Sequence, residues 1–179
     1  REIAPLGNLN PAAHTLPTDH LYLNVNTAAG VAVVASVVAP GNLVVTEVSQ
    51  QTRSGGSPND GVNYGMRFFP CADVAMYFSH LTSLTAEFAA RVGPISSCDP
   101  PYTSGGITST ECRKQVNLTL AAGSLIGTAG GPSFPGIDFG GADARVPELA
   151  FVNPSRSYGY GQGFGQNHTI CPVDYFVPP

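Results

Sequence analysis

The chain has 179 residues, which is enough for one domain with its own hydrophobic core. An apolar fraction of 42% excludes a disordered tail, and eight basic against twelve acidic residues exclude a basic nucleic-acid platform. The longest apolar run, residues 31–39, is too short to cross a bilayer. We therefore expect a single domain over residues 1–179 with no nucleic-acid partner and no membrane span.

Strand patterns dominate the first half of the chain. The 21 glycines and 16 prolines favour many turns and short strands over a helical bundle. After a proline-rich segment over residues 1–18, alternating or continuous apolar runs predict strands. The segment at 31–39 reads as a strand buried on both faces, and the polar stretch 50–62 as a loop or hairpin tip. The predicted strands are 19–26, 31–39, 43–48, 64–69 and 74–79.

The second half contains the one predicted helix. Thr85 can cap a short helix at residues 86–92, where apolar residues recur at helical spacing. Residues 93–112 predict a long loop and residues 116–120 a half-buried strand. Glycine turns around short strands follow at 123–131 and 136–141. We expect a mainly β fold of two packed or rolled antiparallel sheets with one short helix.

The cysteines indicate an oxidising compartment. Cys71, Cys98, Cys112 and Cys171 form no CxxC pair and no zinc-finger spacing, and the chain has a single lysine. The chain begins at Arg1 without a signal pattern, so we expect a secreted protein, extracellular or periplasmic, whose signal peptide is removed or omitted. Cys98 and Cys112 flank one loop, which favours that pair and leaves Cys71 with Cys171. Four cysteines allow three connectivities, so the pairing is a preference.

The C-terminal part is rich in tyrosine, glycine and proline from residue 153 onward, and we expect it to lie across the body. Tyr158, Tyr160 and Phe164 suit a sugar-binding or self-associating surface, or alternatively a cover for the core. Asn117 and Asn167 begin glycosylation sequons, which matter only in a host that glycosylates and are otherwise chance matches.

Three polar segments, taken in chain order, carry a resemblance to a known family. They run from His14 to His20 (HTLPTDH), from Tyr77 to Leu84 (YFSHLTSL) and from residue 126 to residue 140 (IGTAG, then GIDFG). In this order they resemble the lysostaphin-type zinc metallopeptidases, with an early His–Asp pair, a Tyr-x-His-Leu-like segment and a glycine-rich turn into His-x-His-Phe. The resemblance covers residues 14–140 and implies an antiparallel β-roll or sandwich core. Loop insertions at 50–66 and 93–112 and a C-terminal extension at 141–179 complete the implied fold.

The chain departs from the family motif where the chemistry matters. The family's His-x-His is Gly136-Ile137-Asp138 here. One catalytic histidine is thus a glycine, and one metal-binding histidine is an aspartate. Loss of the histidine at position 136 counts against full activity. Tyr22, in phase with His20, is a candidate hydrogen-bond donor for an oxyanion, but its high intrinsic pKa makes it a poor base.

Strand alternation selects the candidate site. Asp19 and His20 are adjacent, so a strand would place them on opposite faces, with His20 on the polar face. Asp138 falls on the polar face of its own strand. His14, His20 and Asp138 then give two imidazoles and one carboxylate, a set that binds Zn²⁺ with a fourth position open for water. The resemblance places His80 near that water as the catalytic residue. Each of these side chains also suits a purely structural role in a cap, turn or buried hydrogen bond.

Two main classes of function follow. The first is a secreted, metal-binding, divergent zinc hydrolase that acts on cell-wall or glycine-rich peptides, as the resemblance implies. The second is a non-catalytic extracellular binding or structural module on the same fold, with a cell-wall peptide or glycan as partner or with self-assembly. A third alternative, a carbohydrate-binding β-sandwich, makes the His80 segment a coincidence.

Overall fold

Long antiparallel strands form the centre of the fold in the computed structural model, which describes residues 2–7, 18–26, 29–150 and 166–176. A helix follows the sixth strand, and two 3₁₀ turns (Gln166–His168 and Pro172–Tyr175) lie near the C-terminus. The elements are β1 (Glu2–Ala4), β2 (His20–Asn24), β3 (Val34–Val38), β4 (Leu43–Ser54), β5 (Gly61–Cys71), β6 (Val74–Leu84), α1 (Ala86–Val92), β7 (Ser97–Cys98), β8 (Tyr102–Ser104), β9 (Ile107–Leu120), β10 (Leu125–Gly130) and β11 (Gly136–Asp143).

The described strands join into a single antiparallel sheet of eleven strands that is not closed into a barrel. The main path runs β1–β2–β11–β6–β5–β4–β9–β7, while β10 links β6 to β3 and β8 pairs with β9. This confirms the prediction of a mainly β, antiparallel fold with one short helix. None of the described residues forms a helix long and apolar enough to span a bilayer.

Strand β6 changes its partner in the middle of its length. Through Ser79 it pairs with β11, and from Leu81 onward it pairs with β10. Opposite β5, the register shifts at the same place, so β6 carries one extra residue there, as in a β-bulge. His80 stands at this point with a backbone φ of 65°, the left-handed region that non-glycine residues seldom adopt. The bulge re-aims the His80 side chain relative to a regular strand.

The core lies on one face of the sheet, under helix α1. The Thr85 hydroxyl caps the helix by accepting a hydrogen bond from the backbone N–H of Phe88, as predicted. Phe88 and Val92 are the buried residues of the helix. The most deeply buried apolar side chains in the described residues are Val45, Val48, Phe68, Leu81, Ile126, Ala129 and Val74. The opposite face carries the polar side chains described below.

Several predicted elements differ from the observed ones. The predicted strand at 31–39 is the shorter β3, which pairs with β10, and it is not buried on both faces because Val34 and Val38 are exposed. The predicted loop at 50–62 shrinks to residues 55–60, since polar side chains continue β4 and β5 on the polar face. The predicted loop at 93–112 contains β7, β8 and the first half of β9.

One predicted disulfide is present and the other is not. Cys98 and Cys112 are bonded across the paired strands β7 and β9. Cys71 and Cys171 are both free thiols. Cys71 ends β5, whereas Thr169 pairs with Ala142 on the edge of β11 away from β6. Strands β6 and β11 therefore lie between the two cysteines, which keeps them from forming a disulfide.

The predicted C-terminal extension lies partly outside the described residues, including the aromatic residues at 158–164. Its described parts are residues 141–150, which begin with the end of β11, and residues 166–176, which pack on β11. Ile170 joins the core, and the ring of Phe176 meets Phe139 edge to face. The Tyr175 hydroxyl donates a 2.6 Å hydrogen bond to Asp143, which also accepts hydrogen bonds from the Arg145 guanidinium. These contacts hold residues 170–176 against the sheet.

Candidate functional site

A triangle of hydrogen bonds formed by Asp19, His20 and Tyr77 lies at the start of β2. The Nδ1 atom of His20 is 2.9 Å from Asp19 Oδ1 and 3.0 Å from the Tyr77 hydroxyl. The Tyr77 hydroxyl in turn donates a 2.9 Å hydrogen bond to the same oxygen of Asp19. A carboxylate only accepts hydrogen bonds, so the Nδ1 atom carries the proton in this arrangement. The Nε2 atom is then the one that faces the rest of the site.

The prediction that Asp19 faces the apolar side was wrong. Strand β2 begins at His20, so Asp19 lies in the preceding bend and strand alternation does not apply to it. Its carboxylate therefore reaches the same polar site as the neighbouring imidazole. His20 itself faces the polar side, as predicted, and its ring meets the Tyr22 ring edge to face at a centroid distance of 4.9 Å.

The pKa of His20 is raised above its ordinary value of 6.5. Burial alone lowers this pKa, because it disfavours the charged imidazolium. The hydrogen bond to Asp19 and the negative charges of Asp138 and Asp19 raise the pKa by more than burial lowers it. The surroundings of His20 thus favour a positive charge on this ring, whether supplied by a proton or by a cation.

His80 approaches the site from the bulge in β6. Its Nδ1 atom is 3.3 Å from the side-chain oxygen of Asn63, a buried residue on β5. The Asn63 amide nitrogen donates to Gln51, which leaves the Asn63 oxygen to accept the proton on Nδ1. One face of the imidazole stacks on Phe134 at a centroid distance of 5.2 Å. These contacts fix the ring and direct its Nε2 atom toward the same centre as that of His20.

Asp138 is the point where the two histidines meet. Its Oδ2 atom lies 3.6 Å from His20 Nε2 and 3.3 Å from His80 Nε2. Asp138 is buried on the polar face of β11, while its neighbours Ile137 and Phe139 join the core, as predicted. The structure therefore brings His20, His80 and Asp138 together.

The pair of His20 and Asp138 has the spacing of two metal ligands. Metal–ligand bonds of about 2.0–2.1 Å in a tetrahedral zinc site place neighbouring ligand atoms about 3.4 Å apart. Metal-binding histidines also donate their second ring N–H to a carboxylate, as His20 does to Asp19. Within the described ranges, however, no three His, Cys, Asp or Glu side chains stand around one metal position. A metal bound here needs a further ligand.

The predicted third ligand, His14, lies outside the described residues. The backbone N–H of Gly7 donates a 2.9 Å hydrogen bond to the carbonyl of Thr18, next to the triangle.

Gly136, which replaces the family's first histidine, stands where a side chain has no room. A Cβ atom there would lie 2.9 Å from the Leu23 carbonyl oxygen and 2.6 Å from the Asn24 side-chain oxygen. Both contacts come from β2, which pairs with β11 at this position. The glycine is therefore required by the close approach of two strands, and no proton-transfer group arises from this position.

A groove of about 280 Å³ opens beside the site on the polar face. It begins at Asp19, Tyr77 and Ser79 and extends across β5 and β4 to Glu111 and Arg113 on β9. Charged and aromatic side chains form most of its lining, and its small residues are Ser49, Gly65 and Ser79. Charged side chains at its far end pair with each other, including Arg113 with Asp99 and Glu111. The groove can take an extended chain that crosses the strands.

Sequence reasoning missed the residues that hold the two histidines. Tyr77 belongs to the segment that carries the resemblance, whereas Asn63 and Phe134 have no motif of their own. Tyr77 and Asn63 come to the site on β6 and β5, and Phe134 comes from the segment before β11. The local sequence carries no signal for the last two. The fourth histidine, His168, hydrogen-bonds the Val146 carbonyl.

Comparison of the chain with protein-family models, with curated proteins and with solved structures found no match.

Proposed function

We propose that this protein is a secreted metal-binding domain that acts as a divergent zinc hydrolase on cell-wall or glycine-rich peptides. The observation that carries the proposal is the placement of His20 Nε2 3.6 Å from Asp138 Oδ2, with Nδ1 of the same ring held by Asp19. The remaining steps concern the third ligand, the proton-transfer group and the substrate.

His20 and Asp138 supply two ligands, and His14 is the third. Two imidazoles and one carboxylate form a common catalytic zinc set, in which one position stays open. Zinc at such a site would polarise a peptide carbonyl and lower the pKa of a bound water. The Asp19 carboxylate supports the metal ligands without being one of them. Its hydrogen bond with His20 makes that ring more basic and hence a stronger ligand.

His80 is the proton-transfer residue in this proposal. Its Nε2 atom faces Asp138 at 3.3 Å, and its Nδ1 atom is held by Asn63. A ring held in this way accepts a proton on Nε2 and donates it again without reorienting. The stacking on Phe134 restricts the ring to this orientation. The left-handed backbone of His80 is the kind of local strain that collects at functional sites.

The substrate class follows from the groove together with the resemblance. The groove is open at the surface and crosses the strands, so an extended peptide can lie along it. Glycine-rich cross-bridges and other cell-wall peptides have this form. The Cys98–Cys112 disulfide is compatible with an oxidising, extracellular or periplasmic compartment.

One observation favours a second candidate function, a non-catalytic metal-binding or peptide-binding module on the same fold. Position 136 is closed to any side chain, so the site lacks the family's second catalytic histidine and has no space to regain it. Tyr77 does not replace that group, because its hydroxyl is engaged with Asp19 and His20. A site of this kind would hold its ligand without cleaving it.

Metal content and peptide cleavage test the proposal together. Purified protein is loaded with zinc, dialysed and measured by plasma mass spectrometry, beside His20→Ala, Asp138→Asn and His14→Ala. The control is His168→Ala, which removes a histidine outside the site. We expect near-stoichiometric zinc in the wild type and the control, and at least a tenfold weaker retention in the three site variants.

Cleavage is then followed with a glycine-rich fluorogenic peptide and with purified peptidoglycan. His80→Ala should keep its zinc and lose cleavage, because the ring transfers protons rather than binding the metal. Absence of zinc in the loaded wild type overturns the metal site. Stoichiometric zinc without cleavage of either substrate overturns the hydrolase and supports the non-catalytic module.

A further inference from the structure

We propose that Tyr77 is a positioning residue for His20, and that Gly140 is a glycine because the Tyr77 ring must pass over it. The consequence for metal affinity rests on the proposed function above. The positioning itself is a property of the metal-free chain. It involves residues of three neighbouring strands, β6, β11 and β2.

The path of the Tyr77 ring crosses strand β11. Gly140 pairs with Tyr77 of β6 on one side and with His20 of β2 on the other. A Cβ atom at Gly140 would lie 2.3 Å from Cε1, 2.5 Å from Cζ and 2.7 Å from the hydroxyl oxygen of Tyr77. The ring therefore occupies the volume that any other residue at position 140 would fill. Only glycine lets the hydroxyl reach a side chain two strands away.

The Tyr77 hydroxyl completes the triangle on the Nδ1 side of His20. It gives its single proton to Asp19 Oδ1, so its own oxygen can only accept from the imidazole. The Nδ1–H group then faces two acceptors at 2.9 and 3.0 Å. This arrangement selects the Nδ1–H tautomer and leaves the Nε2 lone pair directed toward Asp138. Without the Tyr77 hydroxyl, one of the two acceptors that face His20 Nδ1 would be lost, and Asp19 would be left to orient the ring.

Two substitutions separate this role from simple packing. Tyr77→Phe keeps the ring over Gly140 and removes only the hydroxyl. Gly140→Ala keeps the hydroxyl but displaces the ring that carries it. Both should loosen the Nδ1–H group of His20. Matched controls are Tyr102→Phe, at an exposed tyrosine, and Gly41→Ala, where a Cβ atom meets nothing within 4 Å.

The first readout is the imidazole N–H signal of His20 in metal-free protein, followed by proton–nitrogen NMR. We expect a hydrogen-bonded Nδ1–H resonance with slowed solvent exchange in the wild type and in both controls. Exchange should be at least tenfold faster in Tyr77→Phe and in Gly140→Ala. The second readout is zinc affinity measured by competition with a chelator, where loss of such an outer contact typically weakens binding about 10- to 100-fold.

The outcomes are distinct from those of the proposed function. A wild-type protein that binds no zinc overturns the metal site, while the N–H signal still decides the role of Tyr77. An Nε2–H tautomer in the wild type overturns the positioning role. Unchanged exchange in a folded Tyr77→Phe variant overturns it as well, because packing alone then holds the ring.

Discussion

Substitution of Gly136 tests whether the missing family histidine can be restored. The obvious experiment is Gly136→His, which would rebuild the motif, with Gly136→Ala as the minimal version. The structure indicates that both destabilise the fold. The φ angle of Gly136 is not in the left-handed region, so the cost is steric rather than conformational. The Cβ atom would stand 2.9 Å from the Leu23 carbonyl oxygen, and that oxygen belongs to the backbone of the paired strand.

The expected size of the effect follows from which atoms can move. The Asn24 side chain, 2.6 Å from the new Cβ, can rotate away at small cost. The Leu23 carbonyl must shift by a few tenths of an ångström together with β2, and such overpacking costs about 1–3 kcal/mol. A domain with the usual free energy of unfolding, about 5–15 kcal/mol, stays folded after this loss. Gly136→Ala should therefore fold with its free energy of unfolding lowered by about 1–3 kcal/mol.

Urea unfolding followed by circular dichroism measures the change in the free energy of unfolding. The control is Gly41→Ala, the same substitution at a position where the added Cβ atom meets nothing within 4 Å. The reasoning is refuted if Gly136→Ala unfolds within about 0.5 kcal/mol of the wild type, the range of ordinary surface changes. A Gly136→His variant that is stable and cleaves faster than the wild type would refute it in a second way, since it would show that position 136 can present a side chain to the site.

Three further predictions concern other parts of the molecule. The hydrogen bonds from Arg145 and Tyr175 hold the pKa of Asp143 well below its ordinary value of 3.8. The ionised carboxylate therefore stabilises the fold above pH 3.8, and this contribution should be lost as the pH falls below 3.8 toward the lowered pKa. Acid unfolding of Tyr175→Phe should show a smaller loss. Reducing the Cys98–Cys112 bond, which closes a loop of about 15 residues, should lower the free energy of unfolding by about 3 kcal/mol, and a denaturation curve unchanged by reductant would contradict this. His80→Gly should melt within a few degrees of the wild type, because relief of the left-handed strain, about 1–2 kcal/mol, offsets the lost ring contacts. Cleavage should disappear in the same variant, and a marked drop in melting temperature would count against the strain.

Sequence alternation predicted which side chains of regular strands face the site. His20 and Asp138 were placed correctly, since both lie within regular strands with a period of two. The same rule misplaced Asp19, which precedes the strand. It did not address His80, which stands at a bulge in β6. Alternation is thus informative only as far as the strand is regular.

The supporting residues depend on pairings that are distant in sequence. Tyr77 reaches His20 over 57 residues and a third strand, and Asn63 reaches His80 through the next strand of the sheet. Neither contact has a local pattern. The polar pattern at residues 50–62 predicts a loop for a related reason. The ends of β4 and β5 carry polar side chains there, and a polar strand resembles a loop when no partner strand is known.

The change of partner in β6 gives the sheet the form of a fork. One branch continues through β11 to β2 and the other through β10 to β3, and His80 stands at the point where they separate. His20 and Asp138 both belong to the first branch, whereas His80 belongs to the stem. A small change in the angle between stem and branch would alter the distance from His80 to Asp138 and leave the distance from Asp138 to His20 unchanged. The fork therefore places the two residues that would hold a ligand on one branch and the residue that would transfer a proton on the stem.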